Sequence, residues 1–158
     1  MGVTARVTIC NAYQDRSLRA KLDKHLAMLC RSGAIEVCQD GRGAPDGHRR
    51  CGGGAALESA DVILLLVSSD FLASDYCYDF EARRALERYR KRGACVIPII
   101  LRPCDWRETR FGKLPVAPLG GRPITTWRNQ DEGFLSVVRI VKSALPGVLS
   151  SVERRRSA

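Results

Sequence analysis

The chain has 158 residues, 45% of them hydrophobic and 27% charged, the composition of about one soluble globular domain. Its net charge of +9 is spread along the chain, with clusters at Arg49-Arg50, over residues 83–92 and in Arg154-Arg155-Arg156. No basic stripe is interleaved with aromatics, so solvated faces and a basic tail account for the charge and no specific nucleic-acid partner is expected.

No uninterrupted apolar run approaches the ~20 residues of a membrane span. The start, "MGVTARVTIC", lacks the apolar segment and cleavage site of a signal peptide. The expectation is a cytoplasmic protein with no membrane partner. Seven cysteines, an odd number without a C-x-x-C pair, argue against a disulfide framework and against a zinc site. No metal is expected.

In chain order, residues 7–10 (VTIC) read as a first strand. Residues 17–30 follow as a helix with Leu18, Leu22, Leu26 and Leu29 at helical spacing. Residues 35–38 (IEVC) form a second strand after the break at Gly33. The uniformly apolar "VILLLV", Val62–Val67, is a strand buried on both faces. "CVIPIIL" (95–101) is the fourth strand and "PITTW" (123–127) the fifth. Asn129 is placed to cap a last helix carrying Phe134, Val137, Val138, Val141 and Leu145 on one face.

Strands alternating with helices predict an α/β fold with helices on both faces of a five-stranded parallel sheet, in the flavodoxin-like order 2-1-3-4-5. Ligands in such folds sit at the carboxyl ends of the strands, near the switch between strands one and three. The loops after Cys10, Cys38 and Val67 are therefore the ones to watch. Residues 1–147 make the domain; 148–158, ending "SSVERRRSA", read as a basic tail or as a linker to a further domain.

Several motifs fail on chemistry. "GRGAPDG" has the wrong spacing and position for a dinucleotide fingerprint, and "CGGGAA" lacks the Gly-Lys-Ser/Thr ending of a P-loop. The loop "CNAYQD" holds only Asp15, too few acids for a phosphoacceptor receiver. His25 and His48 have no Ser or Cys in a recognisable elbow motif beside them.

The stretch "SDYCYDFEARRALE" (74–87) reads as a helix with Tyr78, Ala82, Ala85, Leu86 and Tyr89 on its buried stripe. At ~100° per residue Glu81 falls roughly 60° from the centre of that stripe, a border position. Two readings stand. Glu81 either favours the helix start through the macrodipole and pairs with Arg84, or it is the working group of a site. Asp79 reads as a solvated acid of the first turn.

"ALESADVILLLVSSDFLASDYCYDFEARRALERY" followed by "ACVIPIILRPCDW" closely resembles the Toll/interleukin-1 receptor (TIR) domain family, in its bacterial branch. "LDKHLAMLCRSGAIEVCQD" and "FGKLPVAP…PITTW…DEGFL" continue the resemblance over most of residues 7–145. It implies a domain that hydrolyses NAD+ at the nicotinamide–ribose bond in signalling or antiphage defence, with NAD+ as substrate and no cofactor. The alternative it implies is a catalytically silent TIR scaffold that mediates TIR–TIR interactions in signal transduction.

The family's catalytic glutamate lies a few residues past an aromatic-Cys pair, which matches Glu81 to that role after Tyr76-Cys77. The resemblance further implies Asn11, Ala12, Tyr13, Asp40, Arg42, Pro45 and Cys77 as substrate-binding positions. It implies self-association through the BB loop, Asp40 to Gly47. A single carboxylate suits this reaction, because nicotinamide leaves as a neutral pyridine and needs no proton donor; the charge of Glu81 would steady a developing oxocarbenium.

This chain departs from the family in "VTICNAYQDR" and in "DGRGAPDGHRRCGGGAAL". Three glycines, Gly52 to Gly54, oppose helix formation by about 1 kcal/mol each. The expectation is an irregular segment over 50–54 and at most a turn or two near 55–59.

Overall fold

A computed structural model describes residues 2–38 and 53–158. Strand β1, Ala5–Cys10, is followed by a 3-10 turn at Tyr13–Asp15 and helices α1, Arg16–His25, and α2, Ala27–Arg31. Strand β2 is Ile35–Val37, helix α3 is Gly53–Ser59 and strand β3 is Val62–Val67. After β3 come α4, Ser69–Ala73, a π-helical segment at Asp75–Ala82, and α5, Arg83–Arg90, which continues it. Strand β4, Cys95–Ile100, precedes 3-10 turns at Leu119–Gly121 and Ile124–Thr126 and the long helix α6, Gln130–Ser157.

All strand pairs are parallel, in the order β2-β1-β3-β4. Because strand side chains alternate, β3 feeds two cores. Val62, Leu64 and Leu66 join β1, β4, α1, α2 and α6 on one face. Ile63, Leu65 and Val67 join Leu57 of α3, Phe71 of α4, Ala82 of the π-helical segment, and Ala85 and Leu86 of α5 on the other. The chain is thus an α/β domain with a parallel sheet covered on both sides.

Two expectations change here. The sheet has four strands among the described residues, not five. Residues 123–127, expected as the fifth, form the turn Ile124–Thr126, and only the Thr125 N–H reaches the β4 side, at Leu101 O, 3.0 Å. The place beside β4 is taken by one residue, Ala117, which exchanges hydrogen bonds with Pro98 O and the Ile100 N–H, each 2.8 Å. Pro115 and Pro118 flank it without N–H groups to extend a ladder.

Residues 148–158, expected as a tail, instead carry α6 onward to Ser157. Val148 and Val152 are buried, and Arg155 Nη2 meets Asp61 Oδ1 at 2.9 Å. The helix spans the chain's one window long and apolar enough to cross a membrane by length and composition, with mean hydropathy 1.4, among the described residues. In this fold its apolar stripe lies on the sheet.

The helix expected over 17–30 is divided at Leu26 into α1 and α2, with its four leucines all buried as the spacing predicts. The glycine-rich stretch forms two turns of helix from Gly53; residues 50–52 lie outside the described residues.

Candidate functional site

The carboxyl ends of β1, β3 and β4 converge on one edge because the strands are parallel. From β1 the chain enters Asn11, Ala12 and Tyr13. The Asn11 side chain donates to Ala12 O at 2.8 Å and accepts from Arg19 Nη1 at 3.0 Å, which fixes the turn. Ala12 is buried, whereas the Tyr13 ring is exposed beneath the Arg16 guanidinium, 4.3 Å from its centroid.

From β3 the chain enters Ser68, whose Oγ caps α4 by accepting the Phe71 N–H at 3.1 Å. Ser74 caps the next segment in the same way, accepting the Cys77 N–H at 3.1 Å. There the backbone adopts the wider i→i+5 pattern, a conformation often found at functional sites.

Cys77 and Glu81, four positions apart, share one face of this segment, and Glu81 is only 1% exposed. The border position derived from α-helical spacing is corrected, as is the pairing with Arg84. Arg84 turns outward instead, meeting both carboxylate oxygens of Glu58 and, at 2.8 Å, Glu87 Oε2. Tyr89, expected on the buried stripe, is exposed, and Tyr78 is half-buried with its ring edge-on to Phe111. Asp79 is exposed, as expected, and lies 3.5 Å from Arg110.

The structure brings Asn11 and Cys77 together, with Cys77 Sγ 3.7 Å from Asn11 O. Glu81 follows one turn along the helix, buried beside Ala82. Asp40, Arg42 and Pro45, and the BB loop to which they belong, lie outside the described residues, as does His48. His25 does not join the site: its Nε2 is 3.1 Å from Asp131 Oδ1 and its ring stacks on Phe134.

A second group on this edge has weaker sequence signals. Asp15 is fully buried; Ser68 Oγ donates to its Oδ2 and Arg102 Nη2 lies 2.7 Å from its Oδ1. Arg102 also approaches Asp70 at 3.6 Å and donates to Gln14 O at 3.4 Å. Burial pushes the Asp15 carboxyl above its ordinary pKa, against the opposing pull of the Ser68 hydrogen bond and the Arg102 charge. The cluster locks the loops after β1, β3 and β4 to one another. Ser68 is legible as an N-cap, with Asp70 in the first turn behind it; nothing local marks Arg102 as its neighbour.

These features define the class: a parallel α/β domain with a buried carboxylate on a π-helical turn at the carboxyl edge of its sheet. No family model matches the chain. It is similar to the uncharacterized protein y4lF of Sinorhizobium fredii (strain NBRC 101917 / NGR234), with 49% identity over 141 residues. The match covers 84% of this chain and 41% of that protein, so the chain spans about two fifths of the relative's length.

Proposed function

We propose that this chain is a TIR domain with the flavodoxin-like arrangement, cytoplasmic, hydrolysing NAD+ at the nicotinamide–ribose bond in signalling or antiphage defence. The observation that carries the reading is the position of Glu81. It is a carboxylate held inside the protein, on a π-helical turn that follows β3 and the short helix α4, one turn beyond a cysteine that touches the β1 loop.

In this reading Glu81 holds the ribose hydroxyls, and its negative charge stabilises the oxocarbenium as the bond to nicotinamide breaks. Nicotinamide departs as a neutral base and water adds to the ribose carbon. Asn11, Ala12 and Cys77 shape the wall beside Glu81, and a second copy contributes through the BB loop. Low local polarity at a buried site strengthens the interaction of one carboxylate with a cationic centre.

The 1% exposure of Glu81 favours a second reading, a TIR scaffold without catalysis, since a ribose reaches this carboxylate only after the surrounding side chains move apart. Incubating concentrated protein with NAD+ and measuring free nicotinamide, beside Glu81→Ala, separates the two. Release that disappears in the variant supports the enzyme. No release at any protein concentration supports the scaffold.

A further inference from the structure

At the opposite edge of the sheet, where β3 and β4 begin, a cavity of about 530 Å³ opens between the end of α5 and the second half of α6. Its size lies within the range of small-molecule sites. The length of β3, six residues at about 3.3 Å each, puts it roughly 20 Å from the carboxyl edge that carries Ser68. Gly147 of α6 lines it. Pro146 has no N–H to offer the preceding turn, and a side chain at Gly147 would meet nothing within 4 Å.

The lining combines two chemistries. Ala94, Cys95, Ala144 and Val148 supply an apolar floor, and the exposed ring of Tyr89 stands at the wall. Burial pushes the Cys95 thiol up, so this floor stays neutral. The rim is cationic. Arg155 is engaged with Asp61 Oδ1 and with Gly93 O at 3.1 Å, and the nearby Arg88 gives its Nη2 to the same carbonyl at 2.8 Å. Asp61 and Arg155 line the cavity as an ion pair, so neither charge is left over for a ligand. Arg90 and Arg92 differ: both line the cavity and neither has a carboxylate partner among the described residues.

Arg92 also has a φ of 56°, the left-handed conformation that closes α5 and that glycine adopts without strain. Cations at a helix carboxyl end balance its dipole, which accounts for charge here. That balance does not require the cation to occupy the left-handed position, nor a cavity with an aromatic wall beside it.

The geometry points to this cavity as a binding site for a phosphate-bearing ligand of nucleotide size, its planar ring against Tyr89 and the apolar floor and its phosphate at the cationic rim that Arg90 and Arg92 supply. A guanidinium suits phosphate because its forked donors match two of its oxygens at a time. The site is separate from Glu81 and does not depend on the NAD+ reading.

Titration calorimetry at low salt with AMP, adenosine and inorganic phosphate tests it. AMP is expected to bind about tenfold or more tightly than either fragment, since only AMP engages both halves of the cavity. Arg92→Gly relieves the left-handed strain and Gly147→Leu replaces a helical glycine while filling the cavity, so both variants are expected to fold at least as well as the parent. Each is expected to weaken AMP binding by about tenfold or more. Binding that survives in Glu81→Gln keeps the ligand at this cavity; binding lost there moves it to the other edge and overturns the assignment. AMP affinity unchanged by Arg92→Gly and Gly147→Leu, or no saturable binding at millimolar AMP, also overturns it.

Discussion

Cys77 Sγ lies 3.7 Å from Asn11 O, joining residues 66 positions apart and fastening the π-helical turn to the loop after the first strand. Through this contact the helix that carries Glu81 is registered against β1 rather than only against its own strand. Glu81 is held one turn further on and is buried there.

Glu81→Gln keeps the shape of the side chain and removes its charge. If the carboxylate stabilises a cationic transition state, nicotinamide release falls by about 100-fold or more, while substrate affinity falls far less because the amide oxygen of Gln still accepts from the ribose hydroxyls. Single-turnover kinetics with NAD+ checks this. A variant that releases nicotinamide at the parent rate removes Glu81 from the chemistry.

Asp15 yields a pH dependence. Its carboxyl is raised in the folded state, chiefly by burial. A group with a raised folded pKa contributes stability that is complete below its unfolded value, about 3.9, and declines as pH rises through the folded value. Denaturant unfolding of the parent and of Asp15→Asn, followed from acidic to neutral pH, is expected to show the parent losing ground relative to the variant as pH rises. A constant difference across that window contradicts the shift.

Ser68→Ala removes two interactions at once, the hydrogen bond to Asp15 and the cap of α4. The expected cost is about 1–3 kcal/mol, read from the shift in the unfolding midpoint.

Ending the chain after Gly147 removes Val148 and Val152 from the core and Arg155 from Asp61. Two buried valines at about 1.5 kcal/mol each give an expected loss of about 3 kcal/mol or more, measured by calorimetry. An unchanged melting temperature would restore 148–158 to the status of a tail.

Arg84→Ala cuts the tie between α5 and Glu58 of α3. Hydrogen exchange in 55–59 is expected to speed up, with the sheet unaffected. The hydrogen bonds from Arg84 hold the Glu58 carboxyl below its usual range, so the tie is present above the ordinary glutamate pKa and fails as pH falls through the lowered value. Exchange in α3 of the parent should therefore quicken toward acid.

The parallel sheet was legible because its evidence is local. Val62–Val67 is apolar without interruption, and the leucines of α1 and α2 repeat at helical spacing, so burial follows from side-chain type alone. The same spacing placed Asn129 at the start of α6, where its side chain accepts the Asp131 N–H at 3.0 Å. Local pattern misled at "PITTW", whose β-branched residues suit a strand but whose backbone closes a 3-10 turn behind Pro123, while Ala117 takes the edge. It misled again at 148–158, where the two valines needed by the core are separated by charge and serine.

For the site, the sequence by itself determined which residue types stand after each strand: Asn11 and Asp15 after the first, Ser68, Cys77 and Glu81 after the third, Arg102 after the fourth. Only the tertiary structure decided how they face one another. Glu81 is buried on a segment whose π-helical register the α-helical spacing read from the sequence does not show. The Asp15–Ser68–Arg102 lock likewise needs three strand ends aligned at one edge, a consequence of parallel pairing between segments up to 87 positions apart in the numbering of Asp15 and Arg102. Side-chain chemistry is written residue by residue, whereas the distances that give it meaning are set by the sheet.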